Sequence, residues 1–418
     1  MSRKRAYQPP QRLSWVHSSR LHVVLYSLLL LATPFILLRS FLVEAIGAAS
    51  GTTVPLAGHN IPIVPVLALL IVIGLAIALH AYITWRRLAA TVAALLMIAL
   101  AQQITDYYFD HKFYDLQQNW HYFAYGLFAF MMYRDLAPRG VSPAHIMLIT
   151  YIAAMLYSTL DEAFQMHMSS RVFDVSDIAK DVWGTLMGLV VLLFGNPPAS
   201  DAPADARRLR HPRLGDYVRH PASLLVLLIA LTLLLLINAS LLSDFEHWPI
   251  VIAFTAAMFA VFFAVLHFSQ HRRIGRVLLA ACLVIVAVQA FFYIRHRGDN
   301  IVHSSFGLTV YKGIPIPYYD VLIFPDGSFR PVDKKHDFNY RDQAFLLRRE
   351  PDIILIGAGH EGRGGYGFPE RAANQFIFNR YTGRATQVII LNTPEACQVF
   401  NRLKREGKRV LFVLHSTC

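Results

Sequence analysis

The residues best suited to chemistry in this sequence form a polar set inside a strongly apolar chain. Their types are those of acid–base catalysis and of anion or metal binding. In chain order they are His121, Tyr125, Asp161, Glu162, Gln165, Arg171, Asp174, Asp177 and Asp181. An ionisable side chain beside a membrane helix is costly to keep, so such a set predicts a functional site.

Two carboxylates, a histidine and an arginine at a membrane surface suit acid–base work on a lipid-linked substrate. Burial raises a carboxyl pKa towards neutrality, whereas a nearby cation keeps a carboxylate ionised. The catalytic candidates are therefore Asp161, Glu162, His121 and Arg171. The candidates for substrate binding are Tyr125, Gln165, Asp174, Asp177 and Asp181.

Other uses of the same residues stay open at this level. Arg171 could clamp a phosphate or carboxylate through two hydrogen bonds. No organic cofactor is predicted, but a divalent cation could bind the carboxylate oxygens of Asp161, Glu162, Asp177 and Asp181. In a structural interpretation, Arg171 pairs with Glu162 or Asp174, and His121 hydrogen-bonds between helices. Whether the protein is an enzyme is therefore left open.

Helical spacing indicates which of these side chains share a face. His121 and Tyr125 are four residues apart, as are Asp161 and Gln165, so each pair lies on one side of its helix. Glu162 points about 100° away from Asp161. A further stripe, in which glycines permit close helix packing, consists of Asp177, Asp181, Gly184 and Gly188.

The composition is that of an integral membrane protein. The 418 residues are 55% hydrophobic and 16% charged, whereas soluble proteins carry roughly 25% charged residues. The formal net charge is +12, but the basic residues lie in short loops between apolar runs. That placement indicates membrane topology and contact with membrane lipids, and it argues against nucleic-acid binding.

Apolar runs of about 20 residues predict about nine transmembrane helices. They cover 21–43, 62–85, 88–104, 120–134, 143–161, 178–195, 221–242, 249–268 and 275–295. With a cytoplasmic N-terminus, the outer loops hold only Lys112 and Arg171, with Lys180 just inside a span, and the other Lys and Arg clusters face inwards. This bias predicts a multi-pass protein of the plasma (inner) membrane, with an extracytoplasmic C-terminal domain.

The chain divides into five segments by composition. They are a basic cytoplasmic N-terminus at 1–20, a six-helix membrane domain at 21–195, a cytoplasmic linker at 196–220, three further helices at 221–295 and a soluble α/β domain at 300–418. We therefore predict a polytopic α-helical membrane protein with a C-terminal α/β domain.

The polar set has fixed spacings that resemble the VanZ-like family, named for a protein associated with teicoplanin resistance. The matching patterns are His121-x-x-x-Tyr125, Asp161-Glu162-x-x-Gln165, Arg171-x-x-Asp174-x-x-Asp177 and Asp181-x-x-Gly184-x-x-x-Gly188. The resemblance covers about 85–195. The chain departs from the family where Asp181 stands in place of a frequent Asn, which adds a carboxylate.

The C-terminal segment has the patterns of strands and of one well-marked βαβ unit. The strands are expected at 307–312, 319–324, 328–332, 353–356, 387–391 and 409–414, with a helix at 394–406. Thr393 is the predicted N-cap, Pro394 the first helical residue and Gly407 the glycine after the helix. A βαβ unit implies a partly parallel sheet.

Several short patterns in this segment resemble a small α/β domain known from a mitochondrial complex I assembly factor and from archaeal proteins of unknown function. They are Pro351–Gly359, Asn392–Cys397, Asn401–Leu403 and Glu406–Lys408. The resemblance implies a binding or assembly role. The glycine-rich loop after Gly357 lacks the helix that a dinucleotide-binding fingerprint requires. Cys397, near a helix start, could be reactive or simply buried.

Two functions follow as expectations. In the first, a cell-envelope protein binds or acts on a lipid-linked or peptidoglycan-type ligand at its outer-face polar site, in a role like that in glycopeptide resistance. In the second, a non-catalytic membrane assembly or scaffold protein binds a protein partner through its C-terminal α/β domain.

Overall fold

A computed structural model describes most of the chain. The described residues are 19–32, 45, 48, 52–56, 59–78, 80, 83–105, 116–166, 173–195, 209–242, 248–298, 301–368 and 375–417. They belong to two compact units, one of Met1–Gln102 with Lys112–Leu233 and the other of Gln103–His111 with Leu234–Cys418.

The N-terminal two thirds of the chain is helical. Its helices are α1 (Ser19–Ala32), α2 (Ile63–Ala78), α3 (Trp85–Thr105), α4 (Leu116–Leu136), α5 (Pro143–Gln165), α6 (Val175–Gly195), α7 (Leu214–Arg219), α8 (Pro221–Leu242), α9 (Trp248–Phe268) and α10 (Arg272–Arg295). A short hairpin of β1 (Thr53–Leu56) and β2 (His59–Pro62), which the sequence analysis did not predict, precedes α2.

Six of the described helices are long and apolar enough to cross a membrane, namely α3, α5, α6, α8, α9 and α10. The count of nine is not confirmed within the described residues. Helix α2 has 16 residues, or roughly 24 Å, which is short for a hydrocarbon core of roughly 30 Å. Helix α4 has the length of a span, but its polar residues lower its hydropathy. The first predicted span runs from α1 into residues 33–43, outside the described part.

Helix α6 is the central helix of the first unit. Most of its residues are buried, and its apolar face contributes Val182, Leu186 and Leu189 to a core shared with α4, α5 and α8. Trp183, almost fully buried, donates from Nε1 to the Met97 carbonyl in α3 at 3.0 Å. A helix buried on nearly all sides is apolar nearly all round, as α6 is beyond its first two turns.

Glycines bring α4 and α6 into backbone contact. A Cβ atom added at Gly184 would lie 2.8 Å from the Tyr122 Cα, and one added at Gly188 would lie 2.7 Å from the Gly126 carbonyl oxygen. Only glycine permits this approach, as the stripe of small residues predicted.

The second unit carries the α/β domain. A six-stranded sheet contains β6 (Asp320–Ile323), β7 (Phe329–Val332), β8 (Ile353–Gly357), β9 (Gln375–Asn379), β10 (Arg384–Leu391) and β11 (Val410–Leu414), in the order β7-β6-β11-β8-β10-β9. Strand β8 pairs parallel with both β10 and β11, and the other pairs are antiparallel. The partly parallel sheet predicted from the βαβ pattern is therefore confirmed.

Helices cover both faces of this sheet. Helix α11 (Tyr340–Arg348) packs on one face around Leu346 and Ile354, and α12 (Thr393–Arg405) packs on the other around Phe400 and Phe412. A separate antiparallel sheet consists of β3 (Ile301–Ser305), β4 (Leu308–Tyr311) and β5 (Ile314–Pro317). Strands β3, β5 and β9 and helix α11 were missed, because short strands and a short amphipathic helix have weak periodicity.

The start of α12 differs from the prediction. Asn392 is the N-cap and Thr393 is the first helical residue. The Thr393 hydroxyl instead donates to the His415 carbonyl at 2.7 Å, which joins the start of α12 to the residue after β11. Gly407 has a φ of 74°, as expected of the glycine that follows a helix.

Within the second unit, the α/β domain is fixed to the helices by two polar contacts. Tyr319 donates from its hydroxyl to Asn238 Oδ1 of α8 at 2.8 Å. Gln289 of α10 donates to the Gly313 carbonyl at 2.9 Å. Gly313 has a φ of 75°, and an added Cβ would lie 2.6 Å from the Phe292 carbonyl oxygen, so the β4–β5 turn requires glycine there.

Candidate functional site

A buried polar cluster joins α4, α5 and α6 at one end of the first unit. His121 Nδ1 lies 2.8 Å from Asp181 Oδ1, and its Nε2 lies 3.7 Å from Asp177 Oδ1. Ser158 donates from Oγ to Asp181 Oδ2 at 2.6 Å. Both imidazole nitrogens therefore face carboxylates, which suits a proton-bearing histidine.

Lys180 completes the charge balance of this cluster. Its Nζ donates to Asp177 Oδ1 at 2.8 Å. The side chains of Lys180 and Asp181 are 10% and 6% exposed, whereas those of His121 and Asp177 are 26% and 19% exposed. Two carboxylates thus oppose an ammonium and an imidazole, and the pair that reaches solvent is His121 and Asp177.

Tyr125 lies one turn deeper on the same face of α4 as His121. Its side chain interacts with the Ser158 hydroxyl and the Asp181 carboxylate, and it is almost fully buried. The predicted sharing of a helix face by these two residues therefore brings both onto Asp181.

A second group of polar residues adjoins the end of α5. Gln165 donates from Nε2 to Glu162 Oε1 at 2.9 Å and to Asp161 Oδ2 at 3.2 Å. The Asp174 backbone N–H donates to Glu162 Oε2 at 2.9 Å. Glu162 is 3% exposed, and its carboxylate ties the end of α5 to the start of α6.

The two ends of this helical unit differ in chemistry. The polar cluster lies where α4 and α6 begin and α5 ends. The opposite end carries Arg87 near Gly195 and an ion pair between Arg139 and Asp135. These two arginines thus lie at the end of the unit opposite to the carboxylate cluster.

The structure brings together most, but not all, of the predicted site residues. His121, Tyr125, Asp177 and Asp181 form one network, and Asp161, Glu162, Gln165 and Asp174 form the adjoining group. Arg171 lies outside the described residues. Two members were missed, Ser158 and Lys180. Lys180 had a signal, because a lysine three residues after Asp177 inside an apolar helix needs a partner.

The carboxylates do not form a metal centre in the described part of the chain. No three His, Cys, Asp or Glu side chains there have the arrangement that would hold a metal ion. The hydrogen bonds above join Ser158 to Asp181, Gln165 to Glu162 and Lys180 to Asp177.

A separate buried polar centre lies in the α/β domain, and the sequence analysis did not identify it. Asp320, 1% exposed, accepts from Lys334 Nζ at 2.9 Å, and its Oδ2 lies 2.5 Å from His415 Nδ1. The Ser416 backbone N–H donates to Asp320 Oδ1 at 2.8 Å. Burial opposes ionisation of Asp320, but Lys334 and His415 outweigh it and hold the pKa of this carboxyl below its usual range.

This centre lies where the parallel strands β8, β10 and β11 end. His415, 0% exposed, follows β11, and its Nε2 faces Gly364 in the glycine-rich loop after β8. A Cβ added at Gly364 would lie 3.0 Å from the His415 ring. Ligands of open α/β sheets bind at such strand ends, but here the loop lies directly on the histidine.

Cys397 is buried inside α12. Burial raises the pKa of its thiol to about 11, so the thiol is protonated at neutral pH. The reactive alternative for Cys397 is therefore disfavoured, and Cys418 lies outside the described residues.

The comparisons with known proteins concern the α/β domain. Residues 304–415 match a family described as "Protein of unknown function (DUF498/DUF598)". A solved structure called MT938 is 26% identical to this chain over the aligned region. The alignment covers 28% of this chain and 98% of MT938, with a TM-score of 0.22. No curated protein matches the chain. Its C-terminal segment thus resembles an uncharacterised family.

Proposed function

We propose that this protein is a VanZ-like membrane protein of the cell envelope that binds or acts on a lipid-linked or cell-wall-type ligand at the α4–α5–α6 cluster. The observation that supports the proposal is the grouping of four charged or titratable side chains at one end of an apolar helical unit, with Lys180 and Asp181 buried and His121 and Asp177 partly exposed. Holding such charges among apolar helices is costly, so their retention favours a functional role.

The exposure gradient of the cluster indicates how a ligand would approach. His121 and Asp177 are its most exposed charged members, and Lys180 and Asp181 lie behind them. A polar head group entering from the end of the helices would meet the imidazole and the Asp177 carboxylate first. An attached lipid tail would stay among the exposed apolar side chains of α4 and α5, such as Phe123 and Leu160.

The cluster also has the parts needed for proton transfer. A histidine between two carboxylates can deliver a proton to a ligand oxygen and recover it, with Asp181 fixing the orientation of the ring. Lys180 keeps the ionised Asp177 balanced while this occurs. Binding alone uses the same groups as hydrogen-bond donors and acceptors.

Neutralising the carboxylates tests the proposal. We expect Asp177→Asn and Asp181→Asn each to weaken the binding of a lipid-linked cell-wall precursor in vesicles by roughly tenfold or more, since each removes a charge-assisted hydrogen bond. Cells producing these variants should also lose any protection against teicoplanin that the wild-type protein confers.

Asp135→Asn is the matched control, because Asp135 lies on α4 at the opposite end and pairs with Arg139. Expression and thermal midpoint are measured for each variant, and Asp177→Asn is the more informative because its side chain is partly exposed. Binding and protection that stay equal in Asp177→Asn and in Asp135→Asn would rule out a role for the cluster.

A specific feature favours the alternative function, in which the α/β domain binds a protein partner. Strand β9 is an edge strand, and Phe376 and Phe378 project from one of its faces with 64% and 69% exposure. An exposed aromatic edge strand is a template for strand addition by another chain.

Replacing these aromatic side chains tests the alternative. We expect Phe376→Ser with Phe378→Ser to abolish co-purification of a protein partner with the full-length chain. Tyr340→Ser is the control, because Tyr340 is an aromatic residue of 73% exposure on α11. The same partners recovered from both variants would contradict binding at β9.

A further inference from the structure

The α/β domain has a cavity with an excess of positive charge. It has a volume of about 380 Å³ and lies where β6 ends and β11 begins. Its charged lining consists of Arg330, Arg349, Arg409 and Asp326. The Asp326 carboxylate is already engaged, since it accepts from the Ser328 backbone N–H at 2.9 Å and from its hydroxyl at 2.6 Å. Three guanidinium groups therefore face one occupied carboxylate.

Two of these arginines are held in place by the same pair of aromatic rings. The Arg349 guanidinium lies 5.1 Å from the Phe324 ring centroid and 5.4 Å from that of Phe345. For Arg330 the corresponding distances are 5.9 and 5.5 Å. A ring face attracts a cation at this range, so the two like charges are held together before any ligand binds. Such preorganisation lowers the entropic cost of binding an anion.

A neighbouring cavity shows that the excess charge is local. It has a volume of about 350 Å³ and is lined by Arg384 and Arg409, but also by Glu350 and Asp352. Its formal charges balance. Of these two cavities, only the first therefore has an excess of positive charge.

Two more basic side chains contact the turn at residues 325–327, which borders the charged cavity. Lys404 Nζ donates to the Pro325 carbonyl at 2.9 Å, and Lys312 Nζ donates to the Gly327 carbonyl at 3.1 Å. Partial burial, followed by the charge of Lys312, lowers the pKa of Lys404. Two ammonium groups, those of Lys312 and Lys404, therefore lie at this turn beside the single carboxylate of Asp326.

The β4–β5 turn, which carries Lys312, lies close to the end of a candidate membrane span. Lys312 precedes Gly313, which accepts the hydrogen bond from Gln289 near the end of α10. If α10 crosses a bilayer, its last two turns lie near head-group depth, where lipid phosphates are concentrated. A phosphate could therefore reach the cavity from a lipid or from solution.

We propose that the cavity binds a phosphate group through Arg330, Arg349 and Arg409. A guanidinium can hold two phosphate oxygens at once, and three converging guanidiniums suit a phosphate better than a carboxylate. The phosphate belongs either to an anionic phospholipid head group or to a small soluble phosphate. This inference concerns the second unit alone and does not depend on the function of the α4–α5–α6 cluster.

The test uses the full-length protein in nanodiscs. In one arm, inorganic phosphate is titrated against protein in neutral phosphatidylcholine discs, with chloride at matched ionic strength as reference. In the other arm, discs contain phosphatidylglycerol, and retained lipids are counted by native mass spectrometry. The variants are Arg349→Gln and Arg409→Gln. Arg363→Gln is the control, because Arg363 pairs with Glu361 in the loop after β8, at the opposite end of that strand from Arg409.

We expect each cavity variant to reduce phosphate affinity, or anionic lipid retention, roughly tenfold relative to Arg363→Gln. An effect only in the lipid arm identifies a head group as the ligand, and an effect only in the titration identifies a soluble phosphate. If wild-type protein binds neither probe, or if both cavity variants behave like the control, the inference is overturned.

Discussion

Buried carboxylates in the two polar centres are stabilised in different ways. Asp181 has a histidine and a serine hydroxyl as partners, and the lysine beside it pairs with Asp177. Asp320 has a histidine, a backbone N–H and a lysine that donates to it directly. Because a buried ion pair is costly to break, the stability of the α/β domain should depend strongly on Asp320.

We expect Asp320→Asn to destabilise the α/β domain by about 3–5 kcal/mol, because Lys334 and His415 lose their charged partner inside the protein. Amide hydrogen exchange of β6 and β11 in the full-length protein measures the effect. Glu361→Gln is the control, since its exposed pair with Arg363 should change stability by no more than about 0.5 kcal/mol. Equal exchange in the two variants would contradict this role of Asp320.

The pH dependence follows from the lowered pKa of the same carboxyl. A lowered pKa in the folded state stabilises the fold fully above the unfolded pKa of about 3.9 and progressively less as pH falls below it. The wild-type domain should therefore become progressively less stable as the pH falls below about 4. Asp320→Asn should be less stable at neutral pH and lack that part of the acid dependence, which thermal melts across pH would measure.

Among the helices, the contact between α4 and α6 determines the geometry of the cluster. Gly184 of α6 packs against the backbone of Tyr122. A Cβ atom added at Gly184 would lie 3.0 Å from the His121 carbonyl oxygen. His121 must reach Asp181, which is less than one turn away from Gly184. The close approach of the two helices therefore sets the distance between the imidazole and the carboxylate.

We expect Gly184→Ala to destabilise the helical unit by about 1–3 kcal/mol, because the added methyl group overlaps backbone atoms of α4. Ligand binding at the cluster should weaken with it. Gly74→Ala on α2 is the control, since nothing lies within 4 Å of an added Cβ there. A thermal midpoint for Gly184→Ala that matches Gly74→Ala would show that the helices can separate without cost.

At the scale of the whole molecule, the number of membrane-spanning helices determines on which side of the membrane the C-terminal domain lies. Six helices of the described part are apolar and long enough to span a membrane, and the three other predicted spans are α1, α2 and α4. We propose that all nine cross the membrane. Hydropathy alone underrates α4, because that helix carries the polar cluster, and the predicted spans at 21–43 and 62–85 extend beyond the ends of α1 and α2.

Reporter fusions test this proposal. A periplasmic reporter at the C-terminus should be active, and one inserted after Gly140, between α4 and α5, should be inactive. The insertion is the internal reference, because the Arg134 and Arg139 side of α4 is predicted to face the cytoplasm. A C-terminal reporter that works only in the cytoplasm would require an even number of spans.

Local sequence patterns were sufficient to locate many of the helices and strands of this protein. Apolar run length located α3, α5, α6, α8, α9 and α10, and the four-residue spacing placed His121 and Tyr125 on one face. The βαβ pattern located β10, α12 and β11. These features depend on residues near each other in the chain, and helix and strand periodicity make such relations visible.

Only the tertiary structure placed β8 between β10 and β11, brought Ser158 and Lys180 into the helical cluster, and joined Asp320 to Lys334 and His415. Asp320 and His415 are 95 residues apart. The three arginines of the charged cavity come from three separate parts of the domain, since Arg330 lies in β7, Arg349 follows α11 and Arg409 precedes β11. Pairings of this kind depend on how strands order themselves in a sheet and how helices approach. Periodicity along the chain does not contain that information. Strand order and helix packing are determined by the burial of surfaces whose residues are distant in sequence.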